Sequence, residues 1–481
     1  MVTLLSTPQL QRVSRFLWGL VLLTLPVTSF RYMPDFMGRT LIQPLAFYPL
    51  VALLLVLIIL FWRSGGVPLP SNIRLLLAFL LFAIIGSLLG ALYSALPLRG
   101  AHYEERVLRG WFSVIIGLAF FFAAFWMNRT EKDLQHSLKW IYASLGLTIL
   151  WSLVQAVAVN TTLIPRNLVN QIQLIFSVRP LLQRRISGFA YESAWLADQI
   201  VIFYLPWLFA AFFKGRALLK QHWIEPLLII LSLAVLVFTY SRGGLLSAVV
   251  CILAVFVMLG RGLIQRAWRW LARPLSPPGL ALRVGLLLAL VVTLVATGSF
   301  LSRYQYFSNL WDLGDSDDPL GYLVDIGAGQ RLAYALAGYQ VYTEHPLTGV
   351  GLGASALYLL PHYPDWSITI PEVARQISPD SDLIPNTKSL YVRLLAETGL
   401  PGFWLFAVFF LSFLAISLRM HASANRFLRF VAVAGVFAWL GIALRNLTQD
   451  SFTLPIMWVA LGMLVGLDPT SPNQFRLKGK P

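Results

Sequence analysis

The sequence predicts an all-α, polytopic integral membrane protein: about 12 transmembrane helices with a large extracytoplasmic loop containing short helices. Composition and hydropathy carry that prediction. Of 481 residues, 58% are hydrophobic and 12% charged, about half the roughly 25% charged usual for soluble domains. Mean hydropathy is +0.71. A soluble chain of this length has too few polar groups to cover its own surface. The third observation is the recurrence of apolar runs near 20 residues, the length a helix needs where lipid offers the backbone no hydrogen-bond partner.

Taken in order, the predicted spans lie near 16–30, 41–62, 75–96, 111–127, 140–159, 195–213, 226–240, 243–260, 284–302, 401–418, 428–444 and 453–468. The first run lacks a small-x-small cleavage site and reads as a retained span rather than a signal. Three regions follow: 1–302 with helices one to nine and an outer loop near 160–194; 303–400, an extracytoplasmic loop; and 401–481, the last three helices and a cytoplasmic tail. Within 303–400, the stretch Arg331–His345 reads as helical. Leu390–Glu397 has Leu390, Tyr391, Leu394 and Leu395 on one apolar face. Gly399 stops that helix, and Pro401 opens the next span.

The net charge of +16, from 37 Lys and Arg against 21 Asp and Glu, invites a nucleic-acid reading. Placement argues otherwise. With both termini cytoplasmic, the inner segments carry 21 Lys and Arg, and the short outer loops 7. That alternating bias is the signature of topology-setting charge, so no nucleic-acid partner is expected. One Cys excludes a disulfide framework and any multi-thiolate metal site. Six His without an H-x-x-x-H pair give no zinc signature. Cys251 reads as a packing residue within a span, and Asp312, Asp315, Asp317 and Asp318 as a solvated turn rather than a calcium loop.

Three clusters on the predicted outer side carry chemistry. Arg184-Arg185-Ile-Ser-Gly-Phe-Ala-Tyr-Glu192-Ser193 precedes the sixth span, where two guanidiniums and a carboxylate suit a phosphate and a proton. The bland reading is headgroup anchoring, with Glu192 paired to one of the arginines. Thr239-Tyr240-Ser241-Arg242-Gly243-Gly244 lies between the seventh and eighth runs. An Arg at membrane depth is costly and usually meets an anion, and the glycines admit close approach of a ligand. A guanidinium fork there suits a diphosphate, or else a tight turn with a snorkelling Arg. The third cluster joins Arg331, His345-Pro-Leu-Thr-Gly-Val-Gly-Leu-Gly353 and Asn386-Thr-Lys388-Ser-Leu-Tyr391 through Gly402. Glu397 in it reads as structural, paired with Arg393 or neighbouring backbone.

In that order, the Arg185-x-Ser-Gly-Phe…Glu192, Ser241-Arg242-Gly-Gly, Arg331…Gly353 and Leu395-Ala-Glu-Thr-Gly-Leu-Pro-Gly402 motifs resemble the O-antigen ligase and O-antigen polymerase family of bacterial envelope proteins, from about Arg184 to Gly402. The resemblance implies a multi-pass glycosyltransferase of the cytoplasmic membrane using a polyprenyl-diphosphate-linked glycan donor and a glycan acceptor. No cofactor and no metal is implied. Partners would be membrane lipids, both glycan substrates and other polysaccharide-export proteins. It also implies a diphosphate grip by Arg185 and Arg242, with Arg184 beside them, and a loop- or donor-orienting role for Arg331. Ligases of the family carry a His-Asn pair where this chain has Lys388-Ser389. The acceptor base is therefore expected among Glu192, a desolvated Lys388 and His362. That departure makes repeat-unit polymerase the leading expectation and ligation to a lipid or protein acceptor the alternative. A transporter or flippase is the reading from a different class, for which repeated halves and mid-bilayer charge would be the marks.

Overall fold

The computed structural model describes residues 6–33, 42–64, 66–93, 95–214, 223–259, 277–302, 319–325 and 327–470, with single positions at 221, 265, 268 and 269. The acidic run 312–318 lies outside the described residues. The helices are α1 (Thr7–Thr24), α2 (Phe47–Ser64), α3 (Ile73–Gly90), α4 (Tyr103–Met127), α5 (Glu131–Asn160), α6 (Arg166–Phe176), α7 (Ser193–Gln199) and α8 (Leu205–Lys214), followed by α9 (Ile224–Phe238), α10 (Arg242–Leu259) and α11 (Pro277–Ser302). Then come α12 (Pro319–Asp325), α13 (Gly329–Glu344), α14 (Pro371–Ile377), α15 (Leu390–Ala422), α16 (Arg426–Arg445) and α17 (Pro455–Gly466). Among the described residues there is no strand, only two isolated bridges.

Every one of the twelve apolar runs falls on helix. Among the described residues, seven helical segments are long and apolar enough to cross a membrane: 73–93, 103–127, 131–160, 193–213, 279–299, 390–422 and 426–445. Shorter apolar helices cover 47–63, 224–238, 242–258 and 455–466. The first run is displaced: the helix is Thr7–Thr24 rather than 16–30. The Gln9 side chain accepts a bond from the Ser6 N–H at its start, and Leu25 is the C-cap, directly before Pro26. Apolar stripes such as Leu55, Ile58 and Trp62 on α2, and Leu77, Leu81 and Leu88 on α3, face outward. In lipid that face is solvated rather than penalised.

The interior is aromatic and close-packed. All twelve residues of α17 are buried, and its Gly462 meets the Phe121 carbonyl of α4 too closely for any side chain. Phe409 and Phe413 of α15 and Trp458 of α17 surround Phe121 edge-on.

α15 is two helical stretches joined at a kink, as expected from Gly399 and Pro401. Gly399 takes φ 61°, ψ −175°, and Pro401 follows it. Leu400 N–H donates to Pro346 O at 2.8 Å, and Pro401 has no N–H, so the carbonyls of Ala396 and Glu397 are released from the helix. They accept instead from Val350 N–H (2.9 Å) and Gly351 N–H (3.0 Å). The glycine-rich loop is thus a backbone-to-backbone seam. Gly349, at φ 64°, would bring a Cβ to 2.3 Å from the Glu397 carbonyl carbon. Gly349→Ala is expected to cost about 1–3 kcal/mol by overpacking, read as a lowered unfolding temperature in detergent.

The segment between α12 and α15 builds its own small core. Ala333, Tyr334, Ala337 and Val341 of α13 pack with Val350, Leu359, Tyr363, Ile370 and Val373 against Tyr103 of α4 and Ala396 of α15. This assembly sits at the end of the bundle reached by the last turn of α3, the first of α4 and the start of α15, as the seams Tyr103 Oη–Ser87 O (2.8 Å) and Val350–Ala396 show.

Candidate functional site at one end of the bundle

The loop before α7 is fastened to the same end. Gln155 of α5 accepts from the Ser187 and Gly188 N–H groups (3.1 and 2.8 Å) and donates to Gly188 O. Tyr191 N–H donates to Thr28 Oγ1 at 2.9 Å. These bonds hold the stretch carrying Arg184 (exposed), Arg185 (half-buried) and Glu192. Ile186 N–H reaches Phe238 O at the end of α9, placing the two arginines beside the α9–α10 turn. Glu192 pairs with Arg179 at 3.1 Å, an arginine outside the expected cluster.

The α9–α10 turn carries Arg242. Tyr240 adopts φ 51°, and Ser241 Oγ accepts from Gly244 N–H at 3.2 Å, capping α10. Gly244 meets Ala197 of α7 closely, a Cβ there lying 2.5 Å from the Ala197 Cβ. Arg242 is therefore less than one helical turn from a contact whose neighbour on α7 is Asp198. Only three non-glycine residues among those described have φ between 50° and 55°: Arg99, Tyr240 and Lys388. Two of these fall inside the sequence clusters, where strain is commonly held.

Asp198 is the residue that organises the centre. It forms an ion pair with Arg445 at the end of α16, the Arg445 side chain being buried at 5% exposed and Asp198 largely covered at 15%. Gly441 of α16, one turn before Arg445, abuts Val201 and Ile202, which lie in a π-helical turn, Ile200–Tyr204, between α7 and α8. Such turns recur at functional sites. Arg331 donates to Thr448 O at 2.7 Å and lies within electrostatic reach of Asp198 and Arg445, as Glu192 does of Asp198. Asp450 faces both Arg445 and Arg393.

Lys388 stands two residues before the start of α15, at φ 53°. Its Nζ lies 4.0 Å from Glu372 and 5.8 Å from the centre of the Tyr334 ring, the side chain being 34% exposed. Tyr334, one helical turn from Arg331, donates to Glu372 at 3.1 Å. Burial, then the neighbouring Glu372, push its phenol up, so it stays a donor. A carboxylate and a ring face suit an ammonium. His362 is elsewhere: its Nε2 lies 3.3 Å from Glu344, at the other end of α13 from Arg331, about 20 Å along the helix axis.

Glu397 is paired with Arg393, as its position suggested. It is 1% exposed and takes Ser355 Oγ at 2.8 Å and Arg393 Nε at 3.0 Å. The structure thus brings together Glu192, Arg331 and Lys388, with Arg184, Arg185 and Arg242 on adjoining segments, and leaves out His362. Sequence reasoning missed Arg179, Asp198, Arg445 and Asp450. An acid inside the sixth apolar run was the available signal for Asp198. Among the described residues no group of three or more His, Cys, Asp or Glu could hold a metal ion.

Fold and site define a polytopic helical membrane protein with an arginine-rich cluster of ionic residues at one end of the bundle. Residues 227–407 match the family model described as O-antigen ligase. The chain therefore resembles the O-antigen ligase/polymerase family of membrane glycosyltransferases, through a region that holds Arg242, Arg331, His362 and Lys388. Arg184, Arg185, Glu192, Asp198 and Arg445 lie outside that region. No curated protein sequence matches the chain.

Proposed function

We propose that the chain is a repeat-unit polymerase: an inverting, metal-independent glycosyltransferase that moves a glycan from a polyprenyl diphosphate onto an acceptor glycan at the outer face of the bacterial cytoplasmic membrane. The twelve helical runs would then all cross, with both termini cytoplasmic. The carrying observation is the family match at 227–407 joined to the gathering of Arg331, Arg445, Glu192 and Lys388 at one bundle end. The opposite end holds the topology-setting arginines, among them Arg15 on Asp133 and Arg419 on Asp468.

Charge dictates the chemistry. The acceptor hydroxyl oxygen attacks the anomeric carbon as the bond to the diphosphate oxygen breaks. The sugar passes through oxocarbenium character and the diphosphate leaves with the electron pair. Arg184, Arg185 and Arg242 hold that developing charge, and a low-dielectric rim strengthens them. Arg331, tied to the Thr448 carbonyl, fixes the α13 side of the donor. The hydroxyl proton goes to a base on the opposite face. Glu192 suits that role: a carboxylate at the mouth of the site, positioned by Arg179. Lys388, lying against Glu372 and Tyr334, suits holding the acceptor. His362, beside Glu344 at the far end of α13, is the less favoured base in this reading.

Glu192→Gln is expected to lower kcat by about 10²–10⁴-fold with little change in donor KM. Purified protein in nanodiscs, given a polyprenyl-diphosphate-linked oligosaccharide and products resolved by size, tests both points. A ladder of repeats without any other acceptor supports polymerase. Product appearing only with a second lipid or protein acceptor moves the assignment to ligase, the reading that the family model's description favours. No transfer with any acceptor overturns the assignment.

A further inference from the structure

Glu192 and Arg179 are joined by an ion pair too weak to place them. The Arg179 side chain is 33% exposed and that of Glu192 42%, and a pair so open to water contributes little. A misplacement of about 1 Å at a reacting group can cost about a hundredfold in rate, so the position of Glu192 has to be set by something stiffer. The backbone on either side of the pair supplies it. Both sides lead to one short stretch, Pro26 to Ser29, just past the end of α1.

On the Arg179 side, Ser177 is the C-cap of α6. Its Oγ lies 3.0 Å from Ser29 Oγ and accepts from the Arg179 N–H at 3.2 Å. Val178 N–H donates to Ser29 O at 3.1 Å. On the Glu192 side, Tyr191 N–H donates to Thr28 Oγ1 at 2.9 Å, and the Tyr191 ring lies under the Arg179 guanidinium, 4.8 Å from ring centre to Cζ. Thr28, Ser29 and Ser177 are all buried, so losing one of these bonds strands a polar group away from water. The stretch is itself clamped to the residues before α2. Gln43 N–H donates to Thr28 O and Phe30 N–H to Gln43 O, both at 2.7 Å, and Leu45 N–H to Val27 O at 3.0 Å. Gln199, next to Asp198, donates to Pro26 O at 3.1 Å. One buried strut thus holds the loop that carries the carboxylate and the end of the helix that carries Asp198.

Resting on the reading of Glu192 as the base, we propose that Thr28 and Ser29 are positioning residues, which hold Glu192 through Tyr191 and Arg179 where it takes the acceptor proton. Thr28 fixes where the Glu192 backbone emerges. Ser29 fixes where Arg179 emerges, and so which way the carboxylate is drawn.

The test reads anchoring and chemistry separately. Thr28→Val keeps the shape and removes the acceptor oxygen, whereas Thr28→Ser keeps the oxygen. Amide exchange of the peptide containing Tyr191, measured on purified protein in nanodiscs without substrate, is expected to speed up about tenfold in Thr28→Val and not in Thr28→Ser. Transfer from a polyprenyl-diphosphate-linked oligosaccharide then reads the role. Thr28→Val is expected to lower kcat about 10–100-fold with donor KM unchanged, and Thr28→Ser to restore it. Ser29→Ala, which leaves the Val178 bond in place, should lower kcat about fivefold. On the residual rate of Glu192→Gln, adding Thr28→Val should cost nothing more, because a residue that acts through Glu192 has nothing left to position. A merely structural residue would add its own loss, and such additivity overturns the proposal. Wild-type exchange or wild-type kcat in Thr28→Val overturns it as well. Should Thr28→Val not fold, Ser29→Ala takes its place in the same cycle. Full turnover by Glu192→Gln would sink the base reading and the positioning role with it, while faster exchange in Thr28→Val would still leave Thr28 an anchor of the loop.

Discussion

Replacing Arg242 with Ala is expected to lower transfer turnover by about 10²–10³-fold, the effect of removing one preorganised donor from a developing oxyanion. The reason is placement. Arg242 opens α10 directly after the left-handed Tyr240, and Gly244 keeps this helix start tight against Ala197 of α7. On the proposed reading, a guanidinium at that point would meet the leaving diphosphate from a rigid element, so little reorganisation would be needed as charge develops. Arg242→Lys retains the charge but not the fork that matches phosphate oxygens in pairs, and should fall between Ala and wild type. The cap on α10 comes from Ser241 Oγ, so neither variant should shift the unfolding temperature much. Donor consumption by purified protein in nanodiscs checks this. Undiminished turnover in Arg242→Ala would remove Arg242 from the diphosphate site and leave it as a turn residue.

The helices were legible in the sequence because lipid imposes one rule on every crossing segment, and each of the twelve apolar runs falls on helix. Their ends were less legible. α4 begins at Tyr103 and α5 at Glu131, eight or more residues before the apolar runs, since a helix continues into water wherever caps and packing allow. Thr130 caps α5 through Asp133 N–H. The amphipathic α6 went unread inside an outer loop, because a half-apolar face of 11 residues looks like loop to a test for spans. The kink at Gly399–Pro401 was visible, since both residues act through their own backbone. What it is for was not: the released carbonyls of Ala396 and Glu397 matter only once Val350 and Gly351 arrive from far along the chain.

The site divides along the same line. Arg242, Arg331 and Lys388 were legible as members of compact motifs. The Asp198–Arg445 pair was not, because its partners are 247 positions apart and each alone reads as an end-of-span residue. His362 looked eligible by residue type, and only the length of α13 sets it apart. Glu192 looked paired with Arg184 or Arg185, its neighbours in sequence; the loop turns back at Gly188, φ 56°, and Arg179 reaches it first.

That buried pair carries the largest expected effect on stability. Asp198→Ala strands the Arg445 guanidinium, 5% exposed, between α7 and α16, and removing one partner of a buried ion pair costs about 3–5 kcal/mol. Unfolding temperature in detergent micelles should fall accordingly, and Arg445→Met should behave similarly. The double variant Asp198→Ala/Arg445→Met removes both charges at once, and replacement of a buried pair by apolar groups is often neutral or stabilising. It is expected to recover most of the loss. Failure of Asp198→Ala to lose more than about 1 kcal/mol, the range of an exposed pair, would show that water reaches this pair and that the centre is open. The folded double variant then separates architecture from chemistry. Arg331 lies within electrostatic reach of the pair, and the π-turn begins two residues after Asp198. If the two charges serve only to join α7 to α16, the double variant turns over like wild type. If they set the field in which Arg331 and Glu192 act, it stays folded and loses kcat, with donor KM little changed.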